Sequence, residues 1–512
     1  MRRTAWSLIA IAFLALLAGC ATLPSLEGRG STLAFADTAQ TRLGRAVANG
    51  VAAHPGKTGI HAVPNPHDAF AARVLLAAAA ERSIDAQYYI WHGDQVGYLL
   101  FEALWRAAER GVRVRLLLDD VNTRGLDPTI VALDAHPNIE VRLYNPLLQR
   151  GLRALNFVTD FARVNRRMHN KSFTVDNQVA IVGGRNIGNE YFAAGDEVAF
   201  TDLDVVAVGA AVPEVSREFD AYWNSASAYP AAEIVGARGA ADLAAKFASI
   251  RMDAESITYI DAVRDTPMVQ QLLDRTLDFE WTPALVLHDD PAKTVDDTAR
   301  IDTLLFPELQ QAMGRPQRSL DLVSPYFVPG DAGMAALVAV AGRGVRVRVL
   351  TNSLSSTDVT AIHAGYGPRR IELLRAGVKL YELKATRPPA EHEDTSGIGS
   401  SGAAALHAKT FAVDGERIFV GSFNLDQRSA RLNTEMGLVI ESAILAQRLT
   451  DTFDTIVPQL AYEVRLLPDG RSLEWIERTA AGEIRYDTEP HTTWWRRSKV
   501  DVLSILPIDW LL

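Results

Sequence analysis

Apolar residues recur with a helical period in DAFAARVLLAAAAERS (68–83) and again in VGYLLFEALWRAAERG (96–111). Between and after them stand IDAQYYIW (84–91) and VRVRLLLDD (112–120), short β-branched and aromatic runs that read as strands. Helix alternating with strand predicts an α/β layer structure with a mixed, largely parallel sheet flanked by helices. Residues 21–65, rich in Ala, Gly, Thr and Pro, are expected to be a tether and lead-in segment.

The pattern then repeats. LDLVSPYFVPGD (320–331) matches IDAQYYIWHGD (84–94), RGVRVR occurs at 110–115 and at 343–348, and VRLYN (141–145) has an echo in VKLYE (378–382). The period is too long for a solenoid unit and implies a duplicated domain. The expected organisation is a first domain over 66–235, a connecting region over 236–300, a second domain over 301–455 and a tail over 456–512. DFEWTPALVLHDDPAKT (278–294) is expected to lend the second half a strand, and PPAEHEDTSGIGSSG (388–402) reads as a loop. The arginines of RGVRVR are expected to make surface contacts between helix and strand.

Each repeat closes on a basic pair. MHNKSFTVDNQVAIVGG (168–184) and LHAKTFAVDGERIFVGS (406–422) place His, Lys, Asp and Gly at matching spacings, 238 residues apart (407 minus 169). Read as strands, they put His169 and Lys171 on one face, and His407 and Lys409 likewise. Asp176-Asn177 and Asp414-Gly415 are two-residue hairpin signals. Such a turn pairs 175 with 178, and so sets 169 opposite 184 and 407 opposite 422. Gly184, Ser422, Asn186 and Asn424 then flank the histidines, with room and amide donors for a phosphate. Two lysines and two amides spread phosphoryl charge, while two histidines can attack phosphorus and protonate the leaving alkoxide. No metal or cofactor is needed. Asp176 and Asp414 count among the catalytic candidates by motif, although a hairpin turn alone also favours Asp there. Tyr88 and Tyr326 sit near strand ends as site or core aromatics, and His363 and Tyr366 as headgroup contacts or structural residues.

Composition narrows the function. The chain has 512 residues, 48% hydrophobic, with a net charge of −10, which disfavours a dedicated nucleic-acid binder. Its sole cysteine, Cys20, ends Leu17-Ala18-Gly19-Cys20 after Arg2, Arg3 and an apolar run, the form of a secretory signal over 1–20. Trp494 and Trp495 beside Arg496, Arg497 and Lys499 suit a membrane interface, or a tail packed over the first domain.

His-x-Lys-x4-Asp followed by x6-Gly-Gly/Ser-x-Asn, present twice, resembles the phospholipase D superfamily. RRMHNKSFTVDNQVAIVGGRNIGNEYF, SPYFVPGD and SFNLDQRSARLNTEMG are similar to its bacterial cardiolipin synthases of the C type, over about residues 66–512. The resemblance implies two domains about a pseudo-twofold axis with one shared active site. It makes His169 the nucleophile of a phosphatidyl-histidine intermediate, His407 the general acid, and Lys171, Lys409, Asn186 and Asn424 the phosphate clamp. It suggests Asp204 and Glu435 as the carboxylates that orient the histidines. The implied reaction makes cardiolipin from phosphatidylglycerol and a second phospholipid, with phosphatidylethanolamine a candidate, and any protein partner is left open. Hydrolysis as a phospholipase D is the alternative, ahead of a nuclease and a non-catalytic binding protein. Leu-Ala-Gly-Cys also resembles a lipobox, which implies lipidation at Cys20 and a periplasmic-face envelope lipoprotein, at the outer rather than the inner membrane.

Overall fold

The computed structural model describes residues 22–506 and 511, apart from 196–199, 237–238, 274–275, 296–303 and 386–405. The expected leader with Cys20 and the loop at 388–402 lie outside the described residues.

In the first half the strands run in the order Ala228–Pro230, Ile139–Tyr144, Arg113–Asn122, Ser83–Ile90, Ser172–Val175, Val179–Gly183, Asp204–Gly209, Thr58–Val63, Glu280–Thr282. In the second the order is Ala284–His288, Met436–Ile440, Arg417–Gly421, Lys409–Val413, Ser319–Val323, Arg346–Asn352, Lys379–Leu383, then Ala461–Leu466, Leu473–Thr479 and Gly482–Tyr486. The shared central order is the duplication made visible. Within these two large sheets parallel pairing is confined to three neighbouring strands in each half, and the other pairings are antiparallel; Phe327–Val328 and Leu425–Asp426 form a separate two-stranded parallel sheet. The sheets are mixed, as expected, but not largely parallel. The His-Lys segments return as tight hairpins, and a hairpin can only pair antiparallel.

The expected boundaries also shift. Thr58–Val63 pairs with Asp204–Gly209, so the lead-in segment is part of the first sheet rather than a tether. The linker at 278–294 serves both halves, giving Glu280–Thr282 to the first sheet and Ala284–His288 to the second. Ala461–Tyr486 extends the second sheet, and only the helix Trp494–Ser504 resembles a tail. That helix packs through Val500 and Leu503 against Leu354 and Ala364 of the second half, not over the first domain.

Buried pairs recur by repeat. Arg115 holds Asp85 at 2.7 Å and Arg348 holds Asp321 at 2.6 Å, so the last arginine of each RGVRVR is interior, while Arg110, Arg343 and Arg346 stay at the surface as expected. The halves meet in an apolar core that joins Val182, Val205 and Ala207 to Val420, Met436 and Leu438. Burial of that seam fixes how the two sheets sit, and hence how the two motifs face each other.

Candidate active site

The strand ends decide where the motifs lie. Ser172 pairs beside Gln87, so the chain before Ser172 reaches the carboxyl ends of the parallel strands. Asp119 and Asn352, at equivalent places in the repeat, anchor the chain just ahead of each histidine. The Asp119 carboxylate accepts from the Met168 N–H at 2.9 Å and pairs with Arg167. The Asn352 amide oxygen accepts from the Leu406 N–H, also at 2.9 Å.

From there the halves interlock. The His169 N–H donates to the Thr434 carbonyl and the His407 N–H to the Thr201 carbonyl, each at 2.9 Å. The side chains cross as well. His169 Nδ1 lies 2.8 Å from Glu435 Oε2, and His407 Nδ1 lies 2.6 Å from Asp202 Oδ2. A carboxylate at Nδ1 holds the tautomer that leaves Nε2 as the reactive nitrogen. Each imidazole therefore comes from one half and its carboxylate from the other.

Asp204, expected to orient a histidine, is elsewhere. Its carboxylate takes Arg73 at 2.9 Å and Arg185 at 3.5 Å, beneath the first sheet. The pairing explains why. Gly183 sits opposite Asp204 and Gly421 opposite Gly437, so Asp204 aligns with Gly437 and Asp202 with Glu435. The signal was present in the sequence as Thr201-Asp202-Leu203 against Thr434-Glu435-Met436.

The register is one residue off the expected one. Val175 pairs with Val179 and Val413 with Arg417, which places Lys171 in line with Gly183 and pairs Lys409 with Gly421. Asp176 and Asn177 both adopt positive φ, as do Asp414 and Gly415, so the two-residue turn itself forms, but pairing resumes one residue beyond it. Asp176 is bound elsewhere: its carboxylate accepts from the N–H groups of Glu81, Arg82 and Ser83. Asp414 does the same for Gln317, Arg318 and Ser319. Both stand at the far ends of their strands. They tie a turn to a neighbouring strand, away from the histidines.

Gly184 lies against Asp202, where a Cβ would come within 2.3 Å of Oδ1, so its missing side chain makes room for that carboxylate. Ser422 takes the corresponding place and donates its hydroxyl to Glu435 at 2.5 Å. The Asn186 amide oxygen accepts from the Ile90 N–H at 3.1 Å, and its amino group donates to the Tyr191 hydroxyl at 3.2 Å. Asn424 is buried, and its amide oxygen has no partner among the described residues. Lys171 and Lys409 each donate back to the carbonyl of the preceding histidine, and Lys409 Nζ also lies 3.2 Å from His407 Nε2. Tyr89, not Tyr88, meets His169 edge-on at 4.9 Å, while Tyr191 and Phe200 box His407 at 5.0 and 5.6 Å. Tyr88 is core, bound to Arg73, and Tyr326 donates to Asp358 at 2.9 Å. His363 sits 2.9 Å from Glu489 beside Arg370, away from the motifs. Of these neighbours, only Asp202 had a sequence signal; the aromatics carry none.

Burial and crowded positive charge set the protonation states. Burial, then Lys171 and Lys409, holds His169 well below the ordinary imidazole value. Burial and Lys409 lower His407 to about 3. The lysine of each half thus acts on the histidine of the other, as in one shared site. Burial lowers Lys409 to about 8, against the pull of Asp202. Burial lifts Glu435 to about 7, with Lys171 opposing. Asp202 resists the same burial: His407 and Lys409 bring it down to about 2. The site thus combines two imidazoles held neutral, an ionised Asp202, a Glu435 near half-protonation and two lysines whose burial favours their neutral form.

A family profile described as "Cardiolipin synthase, PLD-like domain" matches residues 75–223 and 309–457, and each match contains one His-Lys motif. The chain belongs to that family. It is 48% identical over 473 residues to cardiolipin synthase C of Escherichia coli (strain K12), covering 92% of this chain and all of that one. An uncharacterized protein of Helicobacter pylori (strain ATCC 700392 / 26695) is 31% identical over 81% of this chain and 82% of its own. Among solved structures, phosphatidylserine synthase of Haemophilus influenzae Rd KW20 shares the fold, with a TM-score of 0.55, 12% identity, and coverage of 91% of this chain and 99% of that one. For a member of this phospholipase D-like family, the doubled sheets and the crossed histidine–carboxylate pairs are one arrangement.

Proposed function

We propose that the chain is a phosphatidyltransferase that makes cardiolipin by double displacement at the His169–His407 pocket. The crossed pairs His169–Glu435 and His407–Asp202 carry the reading, in a chain so similar to cardiolipin synthase C. Nε2 of His169 attacks the phosphorus of a donor phospholipid, and the bond to the headgroup oxygen breaks. His407 gives its Nε2 proton to that oxygen, releasing glycerol from phosphatidylglycerol or ethanolamine from phosphatidylethanolamine. His407, now neutral, takes the proton from a glycerol hydroxyl of phosphatidylglycerol, which attacks phosphorus and frees His169.

The unequal carboxylates favour this division of roles. Ionised Asp202 supports a protonated His407 once a phosphodiester anion offsets the lysines. Glu435, near half-protonated at neutral pH, leaves His169 neutral and nucleophilic. Lys171 and Lys409 neutralise the phosphoryl oxygens, and Asn424 and Asn186 line the same pocket. Its working place is a membrane surface, with a lipid on Cys20 as the proposed anchor; among the described residues no helix is long and apolar enough to cross a membrane.

Purified protein given phosphatidylglycerol vesicles is expected to release cardiolipin and glycerol. His169→Ala and His407→Ala are expected to abolish both. Cardiolipin formation by either variant at the wild-type rate would sink the proposal. Phosphatidic acid as the main product would turn it to hydrolysis.

A further inference from the structure

The motif histidines lie at the carboxyl ends of the parallel strands, and several elements that follow those strands carry exposed apolar side chains. The short helices Arg153–Thr159 and Phe161–Val164 follow the strand Ile139–Tyr144 on that side. They carry Leu152, Val158 and Phe161, exposed at 70%, 76% and 41%. On the other half, the helix Thr360–Tyr366 follows the strand Arg346–Asn352 on the same side, and the C-terminal helix Trp494–Ser504 packs on it. Trp494, Trp495 and Ile505 point to solvent at 61%, 76% and 82% exposure.

This C-terminal helix is apolar on two opposite faces. At 3.6 residues per turn, Val500 and Leu503 fall on the face that meets the domain, and Trp494, Val502 and Ile505 on the reverse. A surface helix needs only one apolar stripe to pack. The second stripe has no protein partner among the described residues.

Arg428 joins the two groups beside the site. One of its nitrogens lies 2.9 Å from Asn165 Oδ1, at the end of the first-half helices, and 3.3 Å from the carbonyl of Leu511, near the end of the chain. Charge points to the occupant. Arg496, Arg497 and Lys499 against Asp501 give the C-terminal helix a net charge of +2 (3 minus 1), on a chain whose net charge is −10. Paired tryptophans beside cations on an in-plane helix fit the headgroup layer of an anionic bilayer. A protein partner would have to match an apolar rim split between two halves around an open site, whereas a bilayer surface needs no such match.

We propose that Leu152, Val158 and Phe161 with Trp494, Trp495 and Ile505 form one rim that seats the mouth of the site on anionic phospholipid. The rim rests on the reading that the substrate is a phospholipid, and gives that substrate a route into the pocket without leaving the bilayer.

Two measurements test it. Full-length protein is bound to vesicles of phosphatidylglycerol and phosphatidylethanolamine whose chains carry bromine quenchers. Tryptophan quenching is expected for the wild type and to fall at least twofold in Trp494→Phe/Trp495→Phe, which keeps the helix apolar. Equal quenching of the two proteins overturns the rim. In the second measurement, Leu152→Ser/Val158→Ser/Ile505→Ser is expected to lose about tenfold in turnover of vesicle phosphatidylglycerol, the loss of a few buried methylene groups. Turnover of a monomeric short-chain phosphatidylglycerol by that variant is expected to stay unchanged. Equal rates of variant and wild type on vesicles would also overturn the rim. Failure of the wild type to act on either substrate would count against the transferase reading instead, while the quenching result would still judge the rim.

Discussion

Glu435 of the second half lies 2.8 Å from the imidazole of His169 in the first, and Asp202 returns the arrangement 2.6 Å from His407. Neither half owns a complete histidine–carboxylate pair. Both pairs therefore need both halves, and the seam between the sheets sets their geometry. Glu435→Gln is expected to lower turnover by about 10²- to 10⁴-fold, the range for losing the carboxylate behind a catalytic imidazole. The comparison is kcat by product release, with circular dichroism confirming the fold. A fall of less than threefold would mean that the contact is only structural.

Asp202 and Asp204 should separate cleanly. Asp202→Asn is expected to cost activity on a similar scale with a small change in melting temperature. Asp204→Asn strands Arg73 and Arg185 in the core and is expected to cost stability, about 3–5 kcal/mol for a broken buried pair. Denaturant titration and turnover per folded molecule distinguish the two. A reversed pattern would return the orienting role to Asp204.

The pH profile follows from Glu435 and Lys409, two groups of the site that burial moves toward neutrality. Glu435 is raised, to about 7, so its carboxylate is lost as the pH falls below that value, and kcat/KM is expected to drop on the acid side. Lys409 is lowered, to about 8, so its charge is lost as the pH rises past it, and kcat/KM is expected to drop on the alkaline side. The result is a narrow bell with limbs near these two values. Glu435→Gln should remove the acid limb. Stability runs the opposite way: burying Glu435 costs nothing below the usual carboxylate value, and the cost accumulates as the pH rises through about 7. An acid limb that survives in Glu435→Gln would assign it to another group.

Asp176 and Asp414 should matter to the fold rather than to the chemistry. Asp176 is fully buried and satisfies three backbone N–H groups, so Asp176→Ala is expected to cost about 1–3 kcal/mol. Asp414 serves a more exposed edge, where water can replace it, and Asp414→Ala should cost less. Turnover per folded molecule should stay near the wild type in both. A large loss of kcat at full folding would restore them to the site.

Much of this was legible in the residues. The repeat, the helix–strand alternation and the His-Lys pairs are local patterns, and the structure places both pairs in one pocket. Two features were not. Strand register depends on where pairing resumes after a turn, and a shift of one residue moved the partners of His169 and His407. The crossing of carboxylates between halves is a tertiary fact: Glu435 is 266 residues from His169 (435 minus 169), and no spacing within either motif encodes it. Asp204 stands two residues past the carboxylate that aligns with Glu435, and the match of Thr201-Asp202 with Thr434-Glu435 was readable in the sequence. The lead-in strand Thr58–Val63 was hidden by its small residues, because its place depends on pairing with Asp204–Gly209.

In the proposed reaction His169 carries the phosphatidyl group and His407 moves the proton. The most direct measurement is acid-free quenching during turnover of phosphatidylglycerol, followed by peptide mass spectrometry for a phosphatidyl adduct. An adduct is expected on His169, absent in His169→Ala and accumulating in His407→Ala when a donor with a good leaving group is supplied. An adduct on His407, or cardiolipin formation by His169→Ala, would contradict it.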